Sequence, residues 1–247
     1  MSTEELERFQ AQIHRLEREG RVTRTFRRLD AERQWAVITA LLEDAAESGP
    51  DALGVKRVAA RAGVAVGSLY QYFPRREGML DFAAEVSASF LIGSLENYQE
   101  ALAALPLREA LSAYLAGGVE WSREHAGLLR FFARVAYHGD PDFRDRLVRP
   151  VSLALRSLVR AMLEGARARG ELREGLDLEA AVRMLHALTL ALGDAELLPH
   201  LNEYFLLFDE AHLPPRVREA VIALAVRALA REVTPRRRHH GRARAGR

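Results

Sequence analysis

Apolar residues in this chain recur at spacings of three and four, and no stretch of strand length alternates at two. Leu6, Phe9, Ile13 and Leu16 set the pattern, and Trp35, Ile38, Leu42 and Ala45 repeat it. That periodicity fits one face of an α-helix and does not fit a half-buried strand, so the fold class is all-α. Glycine and proline divide the pattern at Gly20, Gly49-Pro50, Gly63, Pro74, Pro106, Gly139, Gly170 and Pro214-Pro215. The predicted helices are 3–19, 30–48, 55–62, 66–72, 75–104, 107–124, 127–137, 141–169, 177–200 and 214–232. Ser2 with Glu5 forms a candidate capping box for the first, and Asp30 a candidate cap for the second. A helix as short as the first is marginal alone, so its stripe is expected to dock on the body or on another chain.

At 247 residues, with 49% hydrophobic and 28% charged residues, the chain is long enough for a small domain joined to a larger one. It has no cysteine, no run of 18 uninterrupted apolar residues and no apolar core near its N-terminus. The expectations are a reducing, cytoplasmic setting, no membrane partner and no disulfide. The net charge of +2 conceals three basic islands: Arg21 to Arg28, Lys56 to Arg76, and six arginines within 235–247. Together these carry +15, so the remainder is acidic, a distribution that suits a localised polyanion contact. Residues 235–247 hold no apolar side chain larger than alanine and are expected to be disordered, a flexible polycation.

The second island contains "VKRVAARAGVAVGSLYQYFPRRE": two short helices joined at Gly63, behind a longer packing helix. That is a helix-turn-helix arrangement. On the second short helix Leu69 and Val66 share the inward stripe, while Gly67, Ser68 and Gln71 face outward, with Tyr70 and Tyr72 on the flanks. This outward face is small, polar and uncharged, as a helix entering a DNA major groove requires. Gly67 permits close approach, Gln71 can pair with adenine, and Ser68, Tyr70 and Tyr72 can reach phosphates. Lys56 and Arg76 supply charge at either end. The same residues also allow a plain connector whose tyrosines pack on a neighbouring helix.

Ala-x-x-Ala-Gly-Val, then Gly-Ser-Leu-Tyr-x-Tyr-Phe, then a basic pair opening a long helix, resembles the DNA-binding region of the TetR family of transcription regulators over about residues 33–82. The resemblance implies domains at 1–29 (extension helix and basic arm), 30–76 (helix-turn-helix head), 77–234 (helical ligand and dimer domain) and 235–247 (tail). It implies DNA contacts from Lys56, Gly67, Ser68, Tyr70, Gln71, Tyr72 and Arg76. The partners it implies are a near-palindromic operator in double-stranded DNA, a second copy of the chain and a small-molecule effector. Gly54 and Ala65 depart from the family's usual Thr or Ser caps, so both short helices should begin less firmly. Val66, often polar in the family, is assigned mainly to packing.

For the larger domain, the resemblance implies a dimer face from the last two long helices, here Met184, Leu188, Leu192, Val221, Ala225 and Ala228. Tyr98, Trp121, Phe131, Arg134, Tyr137 and His186 are the candidate ligand contacts inside the bundle. No catalytic residue, cofactor or metal is assigned. Nucleophile-elbow, dinucleotide, phosphate-loop and His-Glu-x-x-His motifs are absent from the sequence. Glu196, His200 and Glu203, or His138, Asp140 and Asp142, read as surface or capping groups sooner than as metal ligands. The favoured function is a homodimeric, ligand-responsive repressor. The rivals are a helical ligand- or protein-binding dimer with a degenerate head, and an arginine-driven coater of DNA.

Overall fold

Caps and breakers place the element boundaries in the computed structural model, which describes residues 3–209 and 214–231. Residues 1–2, 210–213 and 232–247 lie outside the described residues, and with them the capping box and the tail expectation. The helices are α1 (Thr3–Arg18), α2 (Arg24–Arg27), α3 (Ala31–Ser48), α4 (Val55–Ala62), α5 (Val66–Tyr72), α6 (Glu77–Ala104) and α7 (Leu107–Glu124). They continue as α8 (Ala126–His138), α9 (Pro141–Phe143), α10 (Arg149–Ala168), α11 (Leu178–Leu197), α12 (Pro199–Phe205) and α13 (Pro215–Leu229). No strand occurs among the described residues beyond one isolated bridge between Leu172 and Ala230.

Two predicted helices needed division. The stretch 141–169 is broken by a π-turn at Arg144–Val148. The stretch 177–200 stops at Leu197 because Leu198 precedes a proline and is extended, and Pro199 opens α12. Elsewhere local chemistry acts as read: the Asp30 carboxylate accepts from the Arg33 N–H at 2.8 Å, and Gly63 turns the chain at φ +65.

The head and the first part of the body share a single core. Val37, Leu41, Val58 and Leu69 belong to the same buried cluster as Leu128, Phe131 and Phe143. α6 runs through it and pairs along its length with α10. By length and composition α6 could cross a membrane, with mean hydropathy 1.3, yet its apolar residues are the centre of the packing. A second cluster gathers α7, the end of α10, α11 and α13 around Leu111, Met162 and Ile222.

α1 docks on the body of its own chain: Phe9, Ile13 and Leu16 are buried, and the Phe9 ring meets Trp35 edge-on at 5.7 Å. Across the fold, Gly165 lets α10 press against α6, since a β-carbon there would strike the Ala103 carbonyl. Arg169 donates to that carbonyl at 2.7 Å and Glu171 accepts from the Leu107 N–H at 2.6 Å, so one turn caps the end of α6 and the start of α7.

Candidate nucleic-acid interface and interior cavity

α5 is anchored by its C-terminal half and free at its N-terminal half. Leu69 is fully buried, and Tyr72 and Phe73 pack with Phe26 at centroid distances of 5.8 and 5.5 Å. Val66, Gly67, Tyr70 and Gln71 are exposed and Ser68 is half-buried. Two expectations are corrected here. Tyr72 is a core residue with 7% of its surface exposed, held in the ring cluster around Phe26, not a flank of the outward face. Val66 is 38% exposed, because the head packs only against the far end of this two-turn helix.

The basic arm explains that anchoring. Thr23 donates its hydroxyl to the Gln71 carbonyl at 2.6 Å and its N–H to the Tyr72 carbonyl at 2.9 Å, satisfying two acceptors left over at the end of α5. Phe26, one turn later, is wholly buried among Tyr72, Phe73 and Phe82. Residues 21–28 are thus built into the head. Arg27 pairs with Glu17, and Arg21 faces Glu85 at 3.7 Å. Arg24 and Arg28 are exposed and have no ion pair among the described residues.

α4 lacks a cap of its own, as Gly54 suggested, but receives one from α3. The Asp44 carboxylate is fully buried and accepts the Gly54 N–H at 2.7 Å and the Arg57 guanidinium at 2.5 and 2.9 Å. Arg57 folds back over Gly54 so closely that a β-carbon would meet its Nη1 at 2.7 Å. Burial alone would push Asp44 up; the bonds from Arg57 and Gly54 outweigh it and hold its pKa below the ordinary carboxylate value. Ala65 has no such substitute.

Charge in the second island divides accordingly. Arg57 is committed to Asp44, and Arg61 to Glu47 and Glu43. Lys56 and Arg75 are exposed with no ion pair among the described residues. Arg76 is exposed but donates to the Leu53 carbonyl at 2.9 Å, tying the start of α6 to the entry of α4.

In the body, a cavity of about 540 Å³ opens between α6, α7, α8, α10 and α11. Of the six candidate contacts, Tyr98 and Trp121 line it. Tyr137 reaches its edge by donating to Asp194 at 2.8 Å, and burial together with that carboxylate pushes the phenol up to about 12. Phe131 and Arg134 are corrected. Phe131 sits in the shared core against Phe143, and Arg134 turns to the head, donating to the Ala46 carbonyl at 2.9 Å near the end of α3. His186 is not among the lining residues; burial, with Arg156 nearby, lowers its pKa.

Sequence reading missed Ser94, Tyr114, Thr189 and Asp194, all of which line the cavity. Their signal was a polar group interrupting the apolar stripe of a long helix, a common event that helix count alone does not make special. Burial pushes the Tyr114 phenol up, against a hydrogen bond with Thr189 that lowers it.

On the last two long helices the expected dimer face divides. Leu192 and Ala225 point into the core, whereas Met184 is 71% and Leu224 63% exposed, with Ala228 also exposed. Asp140 caps α9 by accepting from the Asp142 N–H at 2.9 Å. Glu196 pairs with Arg123 at 3.2 Å.

Residues 37–82 match the family model described as bacterial regulatory proteins, tetR family. No curated protein sequence matches the chain. Among solved structures, one described as the molecular basis for control of antibiotic production by bacterial hormones aligns with 20% identity, covering 82% of this chain and 100% of its own, at TM-score 0.57. A TetR family transcriptional regulator from Chloroflexus aurantiacus J-10-FL aligns with 21% identity over 85% and 99%, at TM-score 0.54. The ketosteroid transcriptional regulator KstR2 of Mycobacterium tuberculosis aligns with 18% identity over 83% and 98%, at TM-score 0.55. These three share the fold across head and body alike, and residues 37–82, which hold the helix-turn-helix, are similar to the DNA-binding region of the tetR family of bacterial regulatory proteins.

Proposed function

We propose that this protein is a cytoplasmic, homodimeric transcriptional regulator, acting as a repressor, that releases its operator when a small molecule fills the body cavity. The observation that carries the reading is the uncharged face of Gly67, Ser68, Tyr70 and Gln71, standing free on a helix whose other end is locked by Thr23 and Phe26. Lys56, Arg75, Arg24 and Arg28 of the head are exposed and have no ion pair among the described residues, which leaves their positive charge for phosphates. Arg76, exposed while it braces α4 through the Leu53 carbonyl, adds a further positive charge for phosphates.

A second copy aligned through Met184 and Leu224 would present two heads to successive major grooves. Half-sites then lie about 35 Å apart in a near-palindromic operator. The relatives named for a bacterial hormone and for a ketosteroid regulator favour a small-molecule effector. A route from cavity to head is available: Trp121 stacks on His125 at 4.2 Å and on Phe90 at 6.2 Å, and Phe90 meets Trp35 of α3 at 4.8 Å. A ligand that fits only one arrangement of these rings shifts the balance between binding and released states.

The test is binding to operator-like and scrambled duplexes across a salt series. Gln71→Ala should lose base preference, by about 1–3 kcal/mol, while Lys56→Ala weakens both duplexes alike and flattens the salt slope. Equal losses on both duplexes for Gln71→Ala would refute direct readout by this helix.

A further inference from the structure

The polar wall of the body cavity has one sign. Glu120, Glu124, Asp194 and Glu196 line it, and no lysine, arginine or histidine does. Glu196 is already matched by Arg123 at 3.2 Å. Glu120 and Glu124 are exposed, and have no ion pair among the described residues. Asp194 accepts one hydrogen bond, from the Tyr137 hydroxyl to Oδ2; Oδ1 has no donor among the described residues. Burial pushes this carboxyl above its ordinary pKa, and the Tyr137 bond offsets that only in part. A carboxylate so placed gains more from an arriving cation than one in water does.

Ser94 gives an independent sign of a ligand. It lies on the cavity wall with 3% of its surface exposed, and its hydroxyl has no hydrogen-bond partner. Buried polar groups are almost always satisfied, so an orphan on a cavity wall points to an absent partner. Most of the remaining wall is hydrocarbon, from Leu91, Leu95, Leu102 and Leu158, and Trp121 and Tyr98 add aromatic faces that attract cations. A protonated amine carries N–H donors and no acceptor, which suits a wall of carboxylates and a free hydroxyl oxygen. A carboxylate or phosphate ligand would meet repulsion and no basic partner.

We infer that the effector of this cavity is an apolar amine, a hydrocarbon body bearing one protonated nitrogen held between Ser94, Asp194 and the aromatic wall. The inference rests on the reading of the body as an effector site. Its test uses one skeleton in three charge states: decylamine, decanol and decanoate, each titrated into the full chain by calorimetry and then into its preformed operator complex. The amine should bind at least about tenfold more tightly than the alcohol, with decanoate weakest, and should release the operator. Asp194→Asn should erase most of the amine's advantage and leave decanol unchanged. Glu120→Gln with Glu124→Gln, on the exposed mouth where folding is not at stake, should reduce it by a smaller factor.

Decanol binding as tightly as decylamine, or a preference untouched in both variants, overturns the amine inference while the effector reading stands. An amine preference that leaves the operator complex intact does the reverse: the site survives and the effector reading falls. Failure of all three compounds to bind overturns both.

Discussion

Thr23 and Gln71, 48 residues apart, are joined by a 2.6 Å hydrogen bond from the threonine hydroxyl to the glutamine carbonyl. The residue proposed to read bases therefore has its backbone fixed by the N-terminal arm while its side chain stays exposed. Pre-fixing a reading helix removes ordering cost at the moment of binding.

Thr23→Val keeps the side chain's shape and removes that bond. The expected loss is about 1 kcal/mol of stability. Amide exchange at residues 71–73 should accelerate while the rest of the head stays protected, and operator affinity should fall on matched and scrambled duplexes together. Exchange measured by mass spectrometry checks this directly.

Asp44 makes the head acid-sensitive. Its folded pKa lies below the unfolded value of about 3.9, so its stabilising contribution is complete above that value and is lost as pH falls through the folded pKa. Stability of the parent protein should drop between about pH 5 and about pH 2 more steeply than that of Asp44→Asn. Asp44→Ala should cost about 1–2 kcal/mol at neutral pH, because the Gly54 N–H loses its acceptor. Thermal unfolding across a pH series separates the two variants.

Gly165→Ala should destabilise by about 1–3 kcal/mol, since the added carbon would overlap the Ala103 carbonyl, a backbone atom at the end of α6 that cannot step aside cheaply. The same change at Gly67, where nothing lies within 4 Å, should leave the melting temperature nearly unaltered and reduce operator binding alone. Calorimetric melting paired with DNA titration tests both.

Met184→Glu or Leu224→Glu should weaken self-association at least about tenfold without altering helix content, because each places a charge on an exposed apolar position of the final helices. Sedimentation velocity read beside circular dichroism checks the pair. A fully dimeric Met184→Glu, Leu224→Glu double variant would remove this face from the dimer.

Much of the fold was legible as one-dimensional pattern. Gly63 ends α4 through its freedom to take φ +65, Pro106 stands between α6 and α7, and Pro215 opens α13 with its fixed φ, so these boundaries follow from residue identity. The exposed face of α5 was legible too, since Leu69 fixes which side turns inward. Val66 and Tyr72 were misjudged because periodicity assigns a direction around a helix axis and says nothing of which end meets a neighbour. Arg134 was misjudged for a related reason: a long cation can reach a helix end in another layer, and Ala46 is 88 positions away.

The sequence by itself determined an all-helical chain with a helix-turn-helix head, because helix propensity, caps and breakers act within a few residues. Tertiary structure alone decided that Asp44 caps a helix lacking its own cap, that Thr23 seals α5, and that Ser94 and Asp194 line the same cavity. Those relations depend on how helices stack, and the free energy of stacking is a sum over surfaces that come together only in the folded chain.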